Sequence, residues 1–137
     1  MALANGLTNP VASRGMANTL VCVAGTIAVG VAGLALNAVT PLVRVPKGFT
    51  LIGATLETTD MDSGAGLVFA VGDVALNTRI LNGLTIGQTG GISNAIATTG
   101  HLFRFTDDTT INLTATTAAA GAVAGSVQIS LFGVIDA

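Results

Sequence analysis

From Thr19 to Val31 the side chains alternate in size with a period of two. Val21, Val23, Ile27, Val29 and Val31 share one parity, while Cys22, Ala24, Thr26, Ala28 and Gly30 share the other. A helix would repeat its large residues every three or four positions, so this spacing predicts a strand with one core face. The surrounding stretch, Gly15 to Val43, carries no charged residue. That length could span a bilayer, and Arg14 in front of it faintly resembles the start of a signal peptide. Asn18, Thr19, Thr26, Asn37, Thr40 and three glycines interrupt the run, however, and Arg14 lies well inside the chain. A secretory leader has a short basic start followed by a continuous apolar segment. The expectation is therefore a strand and no membrane segment. Its face of Ala, Cys, Gly and Thr would let another layer or subunit approach closely.

Further strands follow with turn residues between them. Residues 19–31 and 34–45 are expected to pair, broken near Gly33, and Pro46-Lys47-Gly48 reads as a turn. Residues 49–59 alternate again. Asp60 to Gly64 is a loop by composition, and residues 66–72 are a short strand. Residues 74–82 fit either one helical turn or an irregular strand. Residues 83–100, rich in Gly, Thr, Ser and Asn, read as a long loop. Residues 101–106 alternate Leu102 and Arg104 against Phe103 and Phe105, which predicts a strand, and Asp107-Asp108 a turn. Residues 109–116 and 126–135 are the closing strands, joined by a linker too Gly-rich for a stable helix. Seven or eight short strands with frequent Thr, Val and Ile predict an all-β, single-domain β-sandwich, jelly-roll-like in topology. Residues 1–17 are small, polar and turn-rich, and are expected to form an extended N-terminal arm. Residues 18–137 would form the sandwich domain.

The 137 residues suit one domain. Only 9% are charged, with one lysine (Lys47) and one glutamate (Glu57), against about 25% charged in an ordinary globular protein. Lys and Glu normally cover solvent-facing surface and are depleted at interfaces. Their scarcity implies that much of this surface faces copies of itself or another protein. The five cations, Arg14, Arg44, Lys47, Arg79 and Arg104, are scattered. Nucleic-acid binding needs a basic patch to neutralise phosphates, so none is expected.

Catalytic and metal chemistry find no constellation. Cys22 is the one cysteine, which excludes an internal disulfide or a Cys-based zinc site. Flanked by Val21 and Val23, it reads as a small buried hydrophobe. His101 is the one histidine, and no nucleophile motif accompanies it. The carboxylates Glu57, Asp60, Asp62, Asp73, Asp107, Asp108 and Asp136 lack the Trp and Tyr that usually line a glycosidase cleft. Asp60-x-Asp62-x-Gly64 partly mimics a calcium loop, yet Gly66 stands at the next ligand position and no Glu closes it. Turn capping by Asp and Ser accounts for the same residues. Gly87 to Gly91 is not followed by the Lys-Ser/Thr of a P-loop. No catalytic, cofactor-binding or metal residue is assigned, and the chain reads as no enzyme.

One pattern points to a family. Val45-Pro46-Lys47-Gly48-Phe49, Asp60-Met61-Asp62-Ser63-Gly64, Leu67 to Asp73 and Arg79-Ile80-Leu81 lead on to Phe105-Thr106-Asp107-Asp108-Thr109-Thr110-Ile111 and Ala118-Ala119-Ala120-Gly121. Over roughly residues 43–135 this resembles the small head-decoration, cement or auxiliary proteins of tailed bacteriophages. The resemblance implies a β-rich fold on the capsid surface of the virion, a homo-oligomer, with a trimer favoured, and the major capsid protein as partner. It carries no active-site residues. Other expectations are a tail, connector or head-fibre subunit, or a host-glycan-binding module. The last is disfavoured because Trp and Tyr are absent.

Overall fold

The computed structural model describes residues 20–135. The expected arm, residues 1–17, lies outside them. Eight strands form two four-stranded sheets: β1 Leu20–Val29, β2 Val39–Val45, β3 Phe49–Thr58, β4 Val68–Gly72, β5 Leu81–Leu84, β6 Gly91–Ser93, β7 Thr109–Thr117 and β8 Gly125–Ile135. The first sheet has the order β1-β8-β3-β6 and the second β2-β7-β4-β5. Every pairing is antiparallel. The first strand thus pairs with the eighth, the second with the seventh, the third with the sixth and the fourth with the fifth. This is a ribbon folded in half and wrapped into two layers, the topology of a jelly roll.

The period-two reading of the first strand holds from Leu20 to Val29; Val31, expected on the core face, stands exposed in a 3₁₀ turn. In β1 the odd residues face inward, ending at the buried Val29, while the even residues are exposed. β1 does not pair with β2 as expected, because the turn between them carries β2 into the other sheet; it pairs with β8 from Leu20↔Val134 to Val29↔Gly125 without a register shift. Gly25 lies on the inward row, where an added Cβ would meet Val43 Cγ1 at 2.8 Å. Its missing side chain lets β2 close over β1 at the sandwich edge. The core between the layers is one cluster including Phe49, Leu51, Leu56, Phe69, Phe105, Ile111, Leu113, Ile129 and Leu131. Burial of each such side chain contributes roughly 1.5–3 kcal/mol.

The structure departs from the sequence reading in definite places. The second strand begins at Val39 rather than residue 34, because a 3₁₀ turn, Val31–Leu34, intervenes and Asn37 takes a left-handed φ of 64°. The Asn37 amide then donates to the Ala115 carbonyl at 2.7 Å. Residues 74–82 hold no helix; tight turns precede β5. The loop expected over 83–100 contains the end of β5, a 3₁₀ turn at Ile86–Gln88 and β6. Residues 101–106 form no continuous strand. Leu102 sits at φ 62°, which interrupts the extended chain. The segment still runs beside β3: Leu102 donates to the Leu51 carbonyl at 2.7 Å, and Phe105 to Phe49 at 2.8 Å. Pro46-Lys47-Gly48 is the expected turn, with Gly48 at φ 85° and Phe49 donating to the Pro46 carbonyl.

Among the described residues no helix is long and apolar enough to cross a membrane. Phe69 is fully buried on β4 at the centre of the core. Phe69→Ala is expected to cost about 3–5 kcal/mol, measurable as a fall in the urea midpoint with little change in slope.

Candidate interaction surface

The loop after β3 is built around one carboxylate. Asp62 is buried, and both of its oxygens accept backbone N–H groups. Oδ1 accepts from Gly64 at 2.9 Å and Gly121 at 2.8 Å. Oδ2 accepts from Gly66 and Leu67 at 2.8 Å each and from Ala120 at 3.2 Å. Ser63 adds a backbone bond to the Gly121 carbonyl, and Val123 donates to Met61. The loop joining β3 to β4 is thereby tied to the loop joining β7 to β8. Burial alone would push the Asp62 carboxyl up. The amides of Gly121, Gly66, Leu67 and Gly64 outweigh that and hold it well below its ordinary value of 3.8. Convergent amide donors engage both oxygens of this carboxylate, so the loop is held as a structural clamp. Asp60 takes part only by accepting the Asp62 amide at 3.2 Å.

A second polar cluster holds one end of the sandwich. Arg79 Nε donates to Asp73 Oδ2 at 2.6 Å, and its guanidinium lies 3.9 Å from the Phe103 ring centroid. Asp73 Oδ1 also accepts the Leu76 amide at 2.8 Å, fixing the turn after β4. Phe103 meets Phe105 edge-on at 5.0 Å. Asp73, Val74, Arg79, Phe103, Asp107 and Thr109 help to line an open cleft of about 380 Å³ here. The cleft brings the carboxylates of Asp73, Asp107 and Asp108 together with the paired cation of Arg79.

The other residues singled out in the sequence are dispersed. His101 is exposed at a turn. Cys22 is exposed, contrary to the expectation of burial, because it lies on the outward row of β1. Glu57 is exposed on β3, and the Gly87–Gly91 stretch is a 3₁₀ turn running into β6. Among the described residues no three His, Cys, Asp or Glu side chains are grouped to hold a metal ion. The Arg79–Phe103 contact was not visible in the sequence; the only signal for it was the aromatic pair beside Arg104.

The broadest feature is the outer face of the first sheet. Strand register places Leu20, Cys22, Ala24, Thr26 and Ala28 of β1 beside Val134, Phe132, Ser130, Gln128 and Ser126 of β8. Beyond them stand Gly53, Thr55 and Glu57 of β3, opposite Phe132, Ser130 and Gln128. Glu57 is the one charge on these three rows. Ile52 at 42% and Leu20 at 61% exposure make one end of the face apolar. The outer face of the second sheet differs, because the turn after β4 folds over it. An added Cβ on Gly72 would strike the Leu76 carbonyl and Asn77.

No family model and no curated protein matches the chain. Solved structures do. A chain of the cyanophage Pam1 capsid asymmetric unit is similar over 99% of this chain and 100% of its own, at 27% identity and a TM-score of 0.77. A chain of the capsid of Ralstonia phage GP4 covers 94% of this chain and 92% of its own, at 20% identity and a TM-score of 0.76. A third, from the acid-stable capsid of Helicobacter pylori bacteriophage KHP30, covers 85% and 93%, at 15% identity and a TM-score of 0.53. The last two likenesses are of fold. The full-length Pam1 likeness supports a structural protein located in a phage virion.

Two outcomes test the polar clusters. Because the folded Asp62 carboxyl titrates below the unfolded one, its contribution is whole above pH 3.8. That contribution shrinks as the pH falls below this value and is gone once the folded value is passed. Asp62→Asn places an amide donor against amide donors, so it should lower Tm by about 10 °C at neutral pH. The variant should also lose the part of the acid destabilisation below pH 3.8 that the wild type owes to this carboxyl. Arg79→Ala strands the buried Asp73 carboxylate and is expected to cost about 2–4 kcal/mol by denaturant titration, with Arg79→Lys recovering only part.

Proposed function

We propose that this protein decorates or cements the capsid shell of a bacteriophage, stabilising it through self-association and through contacts with the major capsid protein. The observation that carries this reading is the outer face of the first sheet. It is broad, built from uncharged side chains that are small along β1 from Cys22 to Ala28 and apolar at the end marked by Leu20, Phe132 and Val134, and crossed by the single charge of Glu57. Such a surface lets a second protein layer come close with few charges to desolvate. The full-length likeness to a chain of the Pam1 capsid supports the same reading. The scarcity of Lys and Glu fits a molecule that spends its working life largely covered. The role is structural, with no chemical step, and a trimer at symmetric positions of the shell is the assembly this reading favours. Each contact would bury on the order of 1,000 Å² or more, repeated over the shell.

Purified particles should contain this protein at a copy number comparable to the major capsid protein, measured by quantitative mass spectrometry. A handful of copies per particle would instead indicate a tail, connector or head-fibre subunit, and absence from intact particles would overturn the reading. Ser130, half-buried at the centre of the proposed docking face, gives a sharper test. Ser130→Arg should change stability by no more than about 0.5 kcal/mol, yet reduce occupancy on reconstituted particles at least about tenfold.

A further inference from the structure

The two sheets have four outer strands, and three of them are blunted. β6 is three residues long, and residues 102–105 run along the remainder of that side of β3. β5 is four residues long, with Gly83 at φ 66°. β2 carries Pro41, Arg44 and a register shift between Pro41 and Val43. These are the usual devices that keep an edge from pairing with another chain. β1 has none of them. It is ten residues long, with no charge, no proline and no bulge.

Hydrogen-bond parity identifies the open groups. Thr59 donates to the Ser126 carbonyl at 3.1 Å, so the backbone of Ser126 faces β3. Backbone groups alternate sides along an antiparallel strand. Gln128 and Ser130 therefore also face β3, while Val127, Ile129, Leu131 and Gly133 face β1. Their partners there are Ile27, Gly25, Val23 and Val21. The amides and carbonyls of Leu20, Cys22, Ala24, Thr26 and Ala28 are directed away from β8, and no described strand meets them.

We infer that this edge pairs with the β1 edge of a second copy, antiparallel across a twofold axis, joining the two first sheets into one. Centred on Ala24, the register sets Leu20 against the partner's Ala28 and Cys22 against the partner's Thr26. All five open residues on each strand are then paired, giving about ten hydrogen bonds at two per facing pair. On the inward row Val23 meets the partner's Gly25 and Val21 the partner's Ile27, so large side chains lie beside smaller or complementary ones. The chemistry also restricts the occupant. A charged strand laid here would find no counter-charge from Leu20 to Val43, so the partner strand must itself be uncharged over the paired length. β1 meets that requirement. Residues 1–17 of the same chain suit it poorly, because Asn5-Gly6, Asn9-Pro10 and Arg14-Gly15 are turn formers or lack a ladder donor. This interface does not depend on the capsid reading. On a shell, a twofold contact of this kind would link neighbouring decoration units to one another.

Single-cysteine crosslinking on the full chain tests the register. In a Cys22→Ala background, Ala24→Cys places two thiols on facing residues. A hydrogen-bonded antiparallel pair has Cα atoms about 5.5 Å apart, within disulfide range. Mild copper-phenanthroline oxidation should convert this variant to a covalent dimer, whereas Thr110→Cys on the second sheet, in the same background, should give no covalent dimer. Ala24→Pro removes an outward amide, and Ala24→Lys sets two charges face to face. Each should weaken the dimer at least about tenfold by sedimentation velocity while circular dichroism stays native. Ala24→Lys keeps its amide and carries the test if the proline variant does not fold. The inference fails if the wild type stays monomeric at about 200 μM and Ala24→Cys does not crosslink, or if the dimer survives Ala24→Lys. Concentration-independent amide protection of β1 that disappears on deleting residues 1–17 would assign the edge to the arm instead. Protection seen only on particles, with crosslinks to the shell protein, would assign it to the capsid. Either result overturns the pairing of copies.

Discussion

The pairing of β1 with β8 is the constraint on which the other contacts depend. It runs ten residues without a shift and joins the two ends of the described chain. With the ends joined, the strands between them nest in order: β2 on β7, β3 on β6, β4 on β5. The inward rows of both sheets then enclose one apolar cluster. Since β8 lies between β1 and β3, it carries the first sheet. A residue lost from its inward row would loosen two neighbours at once.

A sandwich of this kind leaves its loops to be secured separately, and the chain does so with single side chains. Asp62 gathers five amides from two loops that are far apart in sequence. Asp73, Arg79 and Phe103 secure the turn after β4 against the segment beside β3. Both devices place a charge where it is already matched, by convergent dipoles in one case and by an ion pair and an aromatic face in the other. A chain with so few charges uses several of them inside its architecture, and its outer sheet face is left almost neutral.

The sequence disclosed the layers better than the links. Val21 to Val29 stated their own orientation, because size alternation and burial obey the same period. The turn at Pro46-Lys47-Gly48 and the strands on either side of Thr117–Gly125 were legible for the same reason. β6 was not, since Gly91-Ile92-Ser93 is too short to show a period and its strand character comes from lying beside Leu56–Thr58. Residues 101–106 misled because Leu102 breaks an alternation that its composition implies. The Asp60–Gly64 loop was marked as unusual, but Asp62 spacing alone cannot distinguish a cation's ligand from an acceptor of amides. Whether a strand lies at an edge depends on which neighbours the whole fold supplies, so the open side of β1 could not be read from β1. The row of small residues was legible in the sequence, and the exposure of Cys22 follows from the same parity.

The nested topology also fixes an order of events during synthesis. β1 leaves the ribosome before β8, with about a hundred residues between them. At ordinary elongation rates that interval is on the order of 5–20 seconds. Throughout it, this uncharged strand lacks the neighbour it pairs with in the folded sheet. Contacts so distant in the chain form late, and nascent chains on one message lie close together. Until β8 arrives, both edges of that strand are open, so synthesis must keep it from pairing with neighbouring nascent chains.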